Sequence, residues 1–206
     1  MATFREGKRE RTRAALVDAA TRLFLRDGYE ETRIADIAAS ADVGLRTFFT
    51  YFATKDEILF PDAATRIAAA IESIDSRQPE DQPQDALLKA LDSYGVTSTD
   101  LLDDRAALRL TLMRKVPAVA GRGQQVQAEA LASIAQRLHE AYPDELNKFE
   151  AAAMVGAFIG AISATLQVMF DSPDWAACDQ ATRRKRLLGA TEAALRPWRQ
   201  APRPVA

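Results

Sequence analysis

Residues 32–52, TRIADIAASADVGLRTFFTYF, decide the reading of this chain. Ile34, Ile37, Ala38 and Ala41 recur at helical spacing and give the first half one apolar side. Thr32 is placed to cap that helix. Asp42-Val43-Gly44 interrupts the pattern, and a second short helix follows from Leu45 to Tyr51. Phe48 and Phe52 stand four apart and form its inward side, with Val43, Ile37 and Phe24 completing a small core. Leu45, Arg46, Thr47, Phe49, Thr50 and Tyr51 are left nearer the outside. Two helices joined by a tight turn, with small, polar and aromatic groups on the outer side of the second, suit a helix that enters the major groove of DNA.

The outer residues carry matching chemistry. Arg46 can donate two parallel hydrogen bonds to guanine or to a phosphate. Thr47 and Thr50 can bond a phosphate or touch a thymine methyl, and the Tyr51 hydroxyl can donate to a phosphate. Gly44 lets the backbone approach the sugar-phosphate chain, and Lys55 adds a positive charge just beyond the motif. The competing reading makes Phe49 and Tyr51 ordinary core aromatics. Upstream, residues 1–26 hold seven basic side chains (Arg5, Lys8, Arg9, Arg11, Arg13, Arg22 and Arg26) against three acidic ones. Beside the motif, this excess reads as a phosphate-contacting arm.

Composition sets the frame. The chain has 206 residues, 48% of them hydrophobic, so it can bury a real core. Alanine and leucine dominate and β-branched runs are scarce, which predicts an all-α fold of about nine helices. A net charge of −2 excludes a protein that coats nucleic acid indiscriminately. One cysteine (Cys178) and one histidine (His139) exclude an internal disulfide and a Cys/His zinc site, and no cofactor is expected. The same scarcity leaves little for nucleophilic catalysis, so an enzyme is not expected. No basic-then-apolar signal opens the sequence, and a cytoplasmic location is expected.

The other elements follow from periodicity and punctuation. Arg9–Arg26 reads as a helix ended by Gly28 at positive φ. Thr54-Lys55-Asp56-Glu57 reads as a capping box opening a long fourth helix from about Lys55 to Ser76. RQPEDQPQD at 77–85 is the clearest internal break. Helices are expected at 86–94, 101–115 and 118–142. Another starts near Pro143-Asp144-Glu145 and runs to Phe170, and the last covers 182–198 before a frayed APRPVA tail. Residues 151–170, AAAMVGAFIGAISATLQVMF, carry no charge and are long enough to span a bilayer. Their Ala, Gly, Ser, Thr and Gln content argues instead for a helix buried on most sides in a domain or a subunit interface.

From the helix ending LFLRDGYEETRI, through ADIAASADVGLRTFFTYF, to ATKDEIL, the sequence resembles the tetracycline-repressor (TetR) family of bacterial regulators. The pattern T-[FL]-[YF]-x-[YH]-F-x-x-K is met at Thr47, Phe48, Phe49, Tyr51, Phe52 and Lys55. Gly44 stands where serine or threonine is common, and Phe49 where tyrosine is common. The resemblance implies a three-helix DNA-binding domain (about 9–69) joined by a long helix to a larger helical domain (about 77–200) that binds a small effector. It implies a homodimer through the last two long helices on a palindromic operator in double-stranded DNA. DNA contacts are carried over to Arg33, Leu45, Arg46, Thr47, Phe49, Tyr51 and Lys55. Tyr94, Leu108, Leu112, Met113, Val116, Phe158, Ile162, Leu166, Met169 and Phe170 could line an apolar pocket, the competing reading of each being simple core. LRLTLMRKVPAV, followed by Ala-rich helices, looks like a branch of that family with acyl-CoA-like or fatty ligands. Arg109, Arg114 and Lys115 there could meet an anionic head group or form a solvated face. The implied protein is a ligand-released repressor in which the fourth helix pivots. The alternative is a ligand-independent architectural or occlusion protein.

Overall fold

The computed structural model describes residues 2–97, 101–175 and 177–199. Among them there is no strand, and nine α-helices follow in order: α1 (Ala2–Asp27), α2 (Ile34–Ser40), α3 (Leu45–Tyr51), α4 (Ala63–Asp75), α5 (Pro83–Thr97), α6 (Asp104–Lys115), α7 (Pro117–Ala141), α8 (Lys148–Asp171) and α9 (Gln180–Arg199). Short 3-10 turns occupy Glu57–Leu59 and Pro173–Trp175. The described residues form two compact units, one of residues 2–61 with 104–123, the other of 62–97 and 101–103 with 124–175 and 177–199. Residues 104–123, read from the sequence as part of the C-terminal body, thus cluster with the first unit.

The core of the first unit is built from Leu16, Ala20, Phe24, Ile37, Phe48, Phe52 and Ile58, none more than 4% exposed. Burial of each large side chain contributes about 1.5–3 kcal/mol. Gly28 ends α1 at φ 93°, as the sequence predicts. The start of α2 differs from expectation. Arg33, not Thr32, is its N-cap residue. The Thr32 hydroxyl instead donates to the Gly28 carbonyl at 2.7 Å, and the residue is 2% exposed. Thr32 therefore holds the α1–α2 loop rather than the helix end.

The fourth helix also starts later than predicted, at Ala63. Pro61 lacks an N–H, and its ring would collide with the carbonyl four residues back, which disfavours a helix running through it from Lys55. The Thr54–Glu57 capping box does not form. Glu57 Oε2 accepts from the Ala53 N–H at 2.6 Å and ties the 3-10 turn to the end of α3.

Buried residues of the second unit include Ile74, Leu87, Leu138, Met154, Val155 and Leu195. Asp75 pairs with Arg137 to join α4 to α7. Arg77 donates to the Ala141 carbonyl at 2.8 Å. Pro143-Asp144-Glu145 does not open α8. Asn147 does, its Oδ1 accepting from the N–H groups of Phe149 (2.9 Å) and Glu150 (3.0 Å), while Glu150 accepts from the Asn147 N–H at 2.8 Å. Asp179 caps α9 by accepting from the Thr182 N–H, and that bond holds its carboxyl below the usual carboxylate range.

Candidate nucleic-acid interface

The turn between α2 and α3 is shaped by hydrogen bonds, not by glycine freedom. The Val43 N–H reaches back to the Ala38 carbonyl (3.0 Å) and the Asp42 N–H to the Ala39 carbonyl (3.1 Å), the two-bond ending of a Schellman motif. The left-handed residue that this ending requires is Asp42, at φ 54°. Gly44 has φ −74° and serves as N-cap of α3 with no side chain to cap it. Its carbonyl accepts from Thr47 (2.8 Å) and Phe48 (3.2 Å).

Inside α3, the residues sort cleanly by face. Phe48 is 0% exposed and Phe52 2%, with ring centroids 5.8 Å apart. On the other side Leu45 is 49% exposed, Phe49 52%, and Arg46 and Thr50 are exposed as well. Phe49 is therefore not a core aromatic. Thr47 and Tyr51 are half-buried along the flanks. Arg33 lies exposed at the start of α2. Thr50 differs from the predicted phosphate donor, since its hydroxyl donates to the Arg46 carbonyl at 3.1 Å.

Lys55 is the main correction. Its ammonium donates to the carbonyls of Tyr29 (2.7 Å) and Thr32 (3.0 Å), with Glu30 at 3.5 Å, and sits 4.2 Å from the centre of the Tyr29 ring. Burial, with Asp56 and Glu30 nearby, pushes the Tyr29 phenol up to about 12, so the ring stays neutral beneath the cation. Lys55 thus pins the segment after α3 to the loop before α2, and its donors face the protein rather than a phosphate. Lys55→Met is expected to lower the melting temperature, at a cost of about 2 kcal/mol. It should leave the salt dependence of DNA binding unchanged. A slope reduced by about one unit, with an unchanged melt, would return Lys55 to the phosphates.

Three arginines that the sequence reading did not place here complete the support. Arg13 donates to the Pro61 carbonyl and lies 5.5 Å from the Phe52 ring centre. Arg109, in α6, is 7% exposed and donates to the Leu59 carbonyl at 3.3 Å, so it forms neither a solvated face nor an exposed anion site. Arg122, in α7, lies 3.6 Å from Glu57. The available signal was a single arginine inside the apolar run LRLTLM, which at helical spacing shares a face with Leu112.

Residues 16–60 match the family described as bacterial regulatory proteins, tetR family. That match spans the stretch from within α1 to the residue after the first 3-10 turn and no further. Among curated proteins it is 32% identical over 119 residues to the HTH-type transcriptional regulator TcmR of Streptomyces glaucescens, covering 57% of this chain and 53% of TcmR. It is 34% identical over 99 residues to the HTH-type transcriptional repressor Rv3405c of Mycobacterium tuberculosis, covering 46% and 49%. The chain thus spans about half the length of the curated relatives it matches. Among solved structures, Thermus thermophilus FadR, a TetR-family repressor in complex with lauroyl-CoA, superposes with a TM-score of 0.56 at 22% identity, covering 94% of this chain and 100% of FadR. A transcriptional regulator from Rhodococcus sp. Rha1 gives 0.52 at 19% identity, covering 94% and 99%. At such identities the likeness shows the fold alone.

The tetR-family pattern does not reach the residues expected to line an effector pocket. Leu112, Met113 and Val116 lie in the first unit, and Phe158, Ile162, Leu166 and Met169 in the second. Met113 packs where a side chain on Gly123 would stand, beside Phe60. The Tyr94 side chain lies outside the described residues. Among the described residues no group of three or more His, Cys, Asp or Glu could hold a metal ion.

Proposed function

We propose that this protein is a dimeric, DNA-binding transcriptional regulator, a ligand-responsive repressor that binds a palindromic operator in the cytoplasm. The observation that carries the reading is the exposed face of α3, with Leu45, Arg46, Phe49 and Thr50 outward on a helix anchored by fully buried Phe48. Arg33, Gly44, Thr47 and Tyr51 flank that face as further contacts, and Lys55 supports it from behind.

A second copy of the chain is the proposed partner, through α8 and α9. By length and composition α8 could cross a membrane, and with 28% of its most apolar window buried it is not covered on most sides within one protomer. Its inner side, with Ala151, Met154, Val155, Phe158, Leu166 and Met169, accounts for the packing. The outer side reads Phe149, Ala153, Gly156, Gly160, Ala164 and Val168, all exposed. This stripe is nearly symmetric about its middle, with large residues at both ends and small ones between. An isologous contact, in which each copy presents the same patch to the other, requires that kind of self-complementarity. A side-chain Cβ built on Gly156 or Gly160 meets nothing within 4 Å, so packing inside one protomer gives no reason for glycine at either position. A groove of about 370 Å³, lined by Gln124, Gln127, Ala128 and Leu131 of α7 and Gly156, Ile159, Gly160 and Ser163 of α8, adjoins the stripe.

The effector is proposed as a small hydrophobic molecule, an acyl-CoA-like compound being the specific candidate. Phe158, Leu166 and Met169 of the second unit are apolar, the side-chain type such a ligand would meet. Release of DNA needs a coupling of typically 1–3 kcal/mol between the effector and DNA sites. A long-chain acyl-CoA that leaves operator affinity unchanged would exclude this class of effector.

The test of the reading is selection of bound fragments from the host genome, followed by footprinting. Two protected half-sites, centred one helical turn or a multiple apart, are expected. Arg46→Ala should weaken binding roughly 10- to 100-fold without lowering the melting temperature. Protection of many unrelated sites with little preference would favour an architectural protein instead.

A further inference from the structure

Four residues of α3, Leu45, Arg46, Phe49 and Thr50, occupy adjacent positions on one face and are all exposed. Only one of them offers the solvent a long hydrogen-bond donor. Leu45 and Phe49 are apolar, and the Thr50 hydroxyl is turned onto the Arg46 carbonyl of its own helix. The Phe49 ring is also held in place, because it meets the buried Phe48 ring edge-on, at 5.5 Å and 83°. This is a fixed apolar ridge with a guanidinium beside it.

In the major groove the base edges present donors and acceptors, with one apolar exception, the thymine C5 methyl group. An apolar ridge pressed against the amino group of adenine or cytosine would strip water from a donor and give nothing in return. Pressed against a methyl group it buries apolar surface on both sides. We propose that Leu45 and Phe49 read thymine C5 methyl groups, so that operator choice rests on where thymines fall rather than on a dense hydrogen-bond code. This rests on the DNA-binding reading above and assigns the base chemistry recognised by that same face.

The test uses the intact protein and a random duplex library. The enriched duplex is resynthesised with deoxyuridine in place of thymidine, which removes the methyl group and leaves base pairing unchanged. Binding should weaken by roughly fourfold for each contacted methyl. Phe49→Ala and Leu45→Ala should each bind the thymidine duplex more weakly and discriminate less between the two duplexes. Equal binding of both duplexes by the unaltered protein would overturn the proposal while leaving DNA binding intact. So would variants that keep the full preference for thymidine, since the methyl effect would then act through DNA shape. If no duplex is enriched at all, the DNA-binding reading falls and the proposal falls with it.

Discussion

Phe48→Ala is expected to unfold the DNA-reading unit at temperatures where the unaltered protein is intact. Phe48 is 0% exposed and lies between two further rings, with Phe49 at 5.5 Å and Phe52 at 5.8 Å. Truncating a fully buried phenylalanine costs about 3–5 kcal/mol, a transfer term plus a term for the cavity left behind. A domain has about 5–15 kcal/mol of total stability, so the loss is a large fraction of what holds the unit together. The neighbouring change, Phe49→Ala, removes a ring that is 52% exposed. Surface substitutions of that kind stay within about 0.5 kcal/mol. Thermal unfolding of the two variants should therefore differ widely, although the residues are adjacent and chemically identical. Similar melts would mean that α3 presents a different face to solvent, and the DNA interface would have to be redrawn.

Gly160→Leu is expected to separate the dimer into folded monomers. Gly160 lies mid-helix on the exposed stripe of α8, and a Cβ there meets nothing within 4 Å. The protomer can accept the side chain. It should even gain, since glycine is about 0.8–1.0 kcal/mol less favourable than alanine in a helix interior and leucine is close to alanine. A second α8 crossing at this point cannot accept it without moving away. Losing one of two linked reading heads removes the multivalent gain, on the order of 100-fold or more in operator affinity. Sedimentation should then show a monomer with an undiminished helical signal and weak DNA binding. A variant that stays dimeric with full affinity would exclude this face as the interface. A monomer that unfolds would instead show that the protomer depends on its mate for stability.

The elements legible in the sequence were those marked by local rules. Gly28 at positive φ, the apolar period of α2, the inward pair Phe48 and Phe52, and the all-α composition all follow from spacing and residue type. Some signals were present but misread. Pro61 disfavours a helix from Lys55, and Asn147 followed by Glu150 is a better capping box than Thr54 followed by Glu57. The exposed face of α3 was legible too, because side chains three and four apart must share a side.

Lys55 shows where that legibility ends. Its number and neighbours fit a phosphate contact, but three carbonyls from residues 29–32, more than twenty positions away, converge on its ammonium. No local pattern records such a meeting. Arg13 and Arg109 are similar, one read as a free arm charge and the other as surface or ligand-facing, both found on carbonyls around the 3-10 turn. The clustering of residues 104–123 with the N-terminal unit likewise depends on contacts between segments far apart in the chain.

From residue order alone come the helices, the turn at 42–44 and the division of α3 into a buried and a bare side, because these are set by backbone sterics and by side chains within four positions of one another. Folding in three dimensions decided which cations remain open to a partner and which are held by distant carbonyls. It also decided that the outer side of α8 stays uncovered within one protomer. Those outcomes depend on which remote groups arrive at a given point, and short-range periodicity carries no information about that.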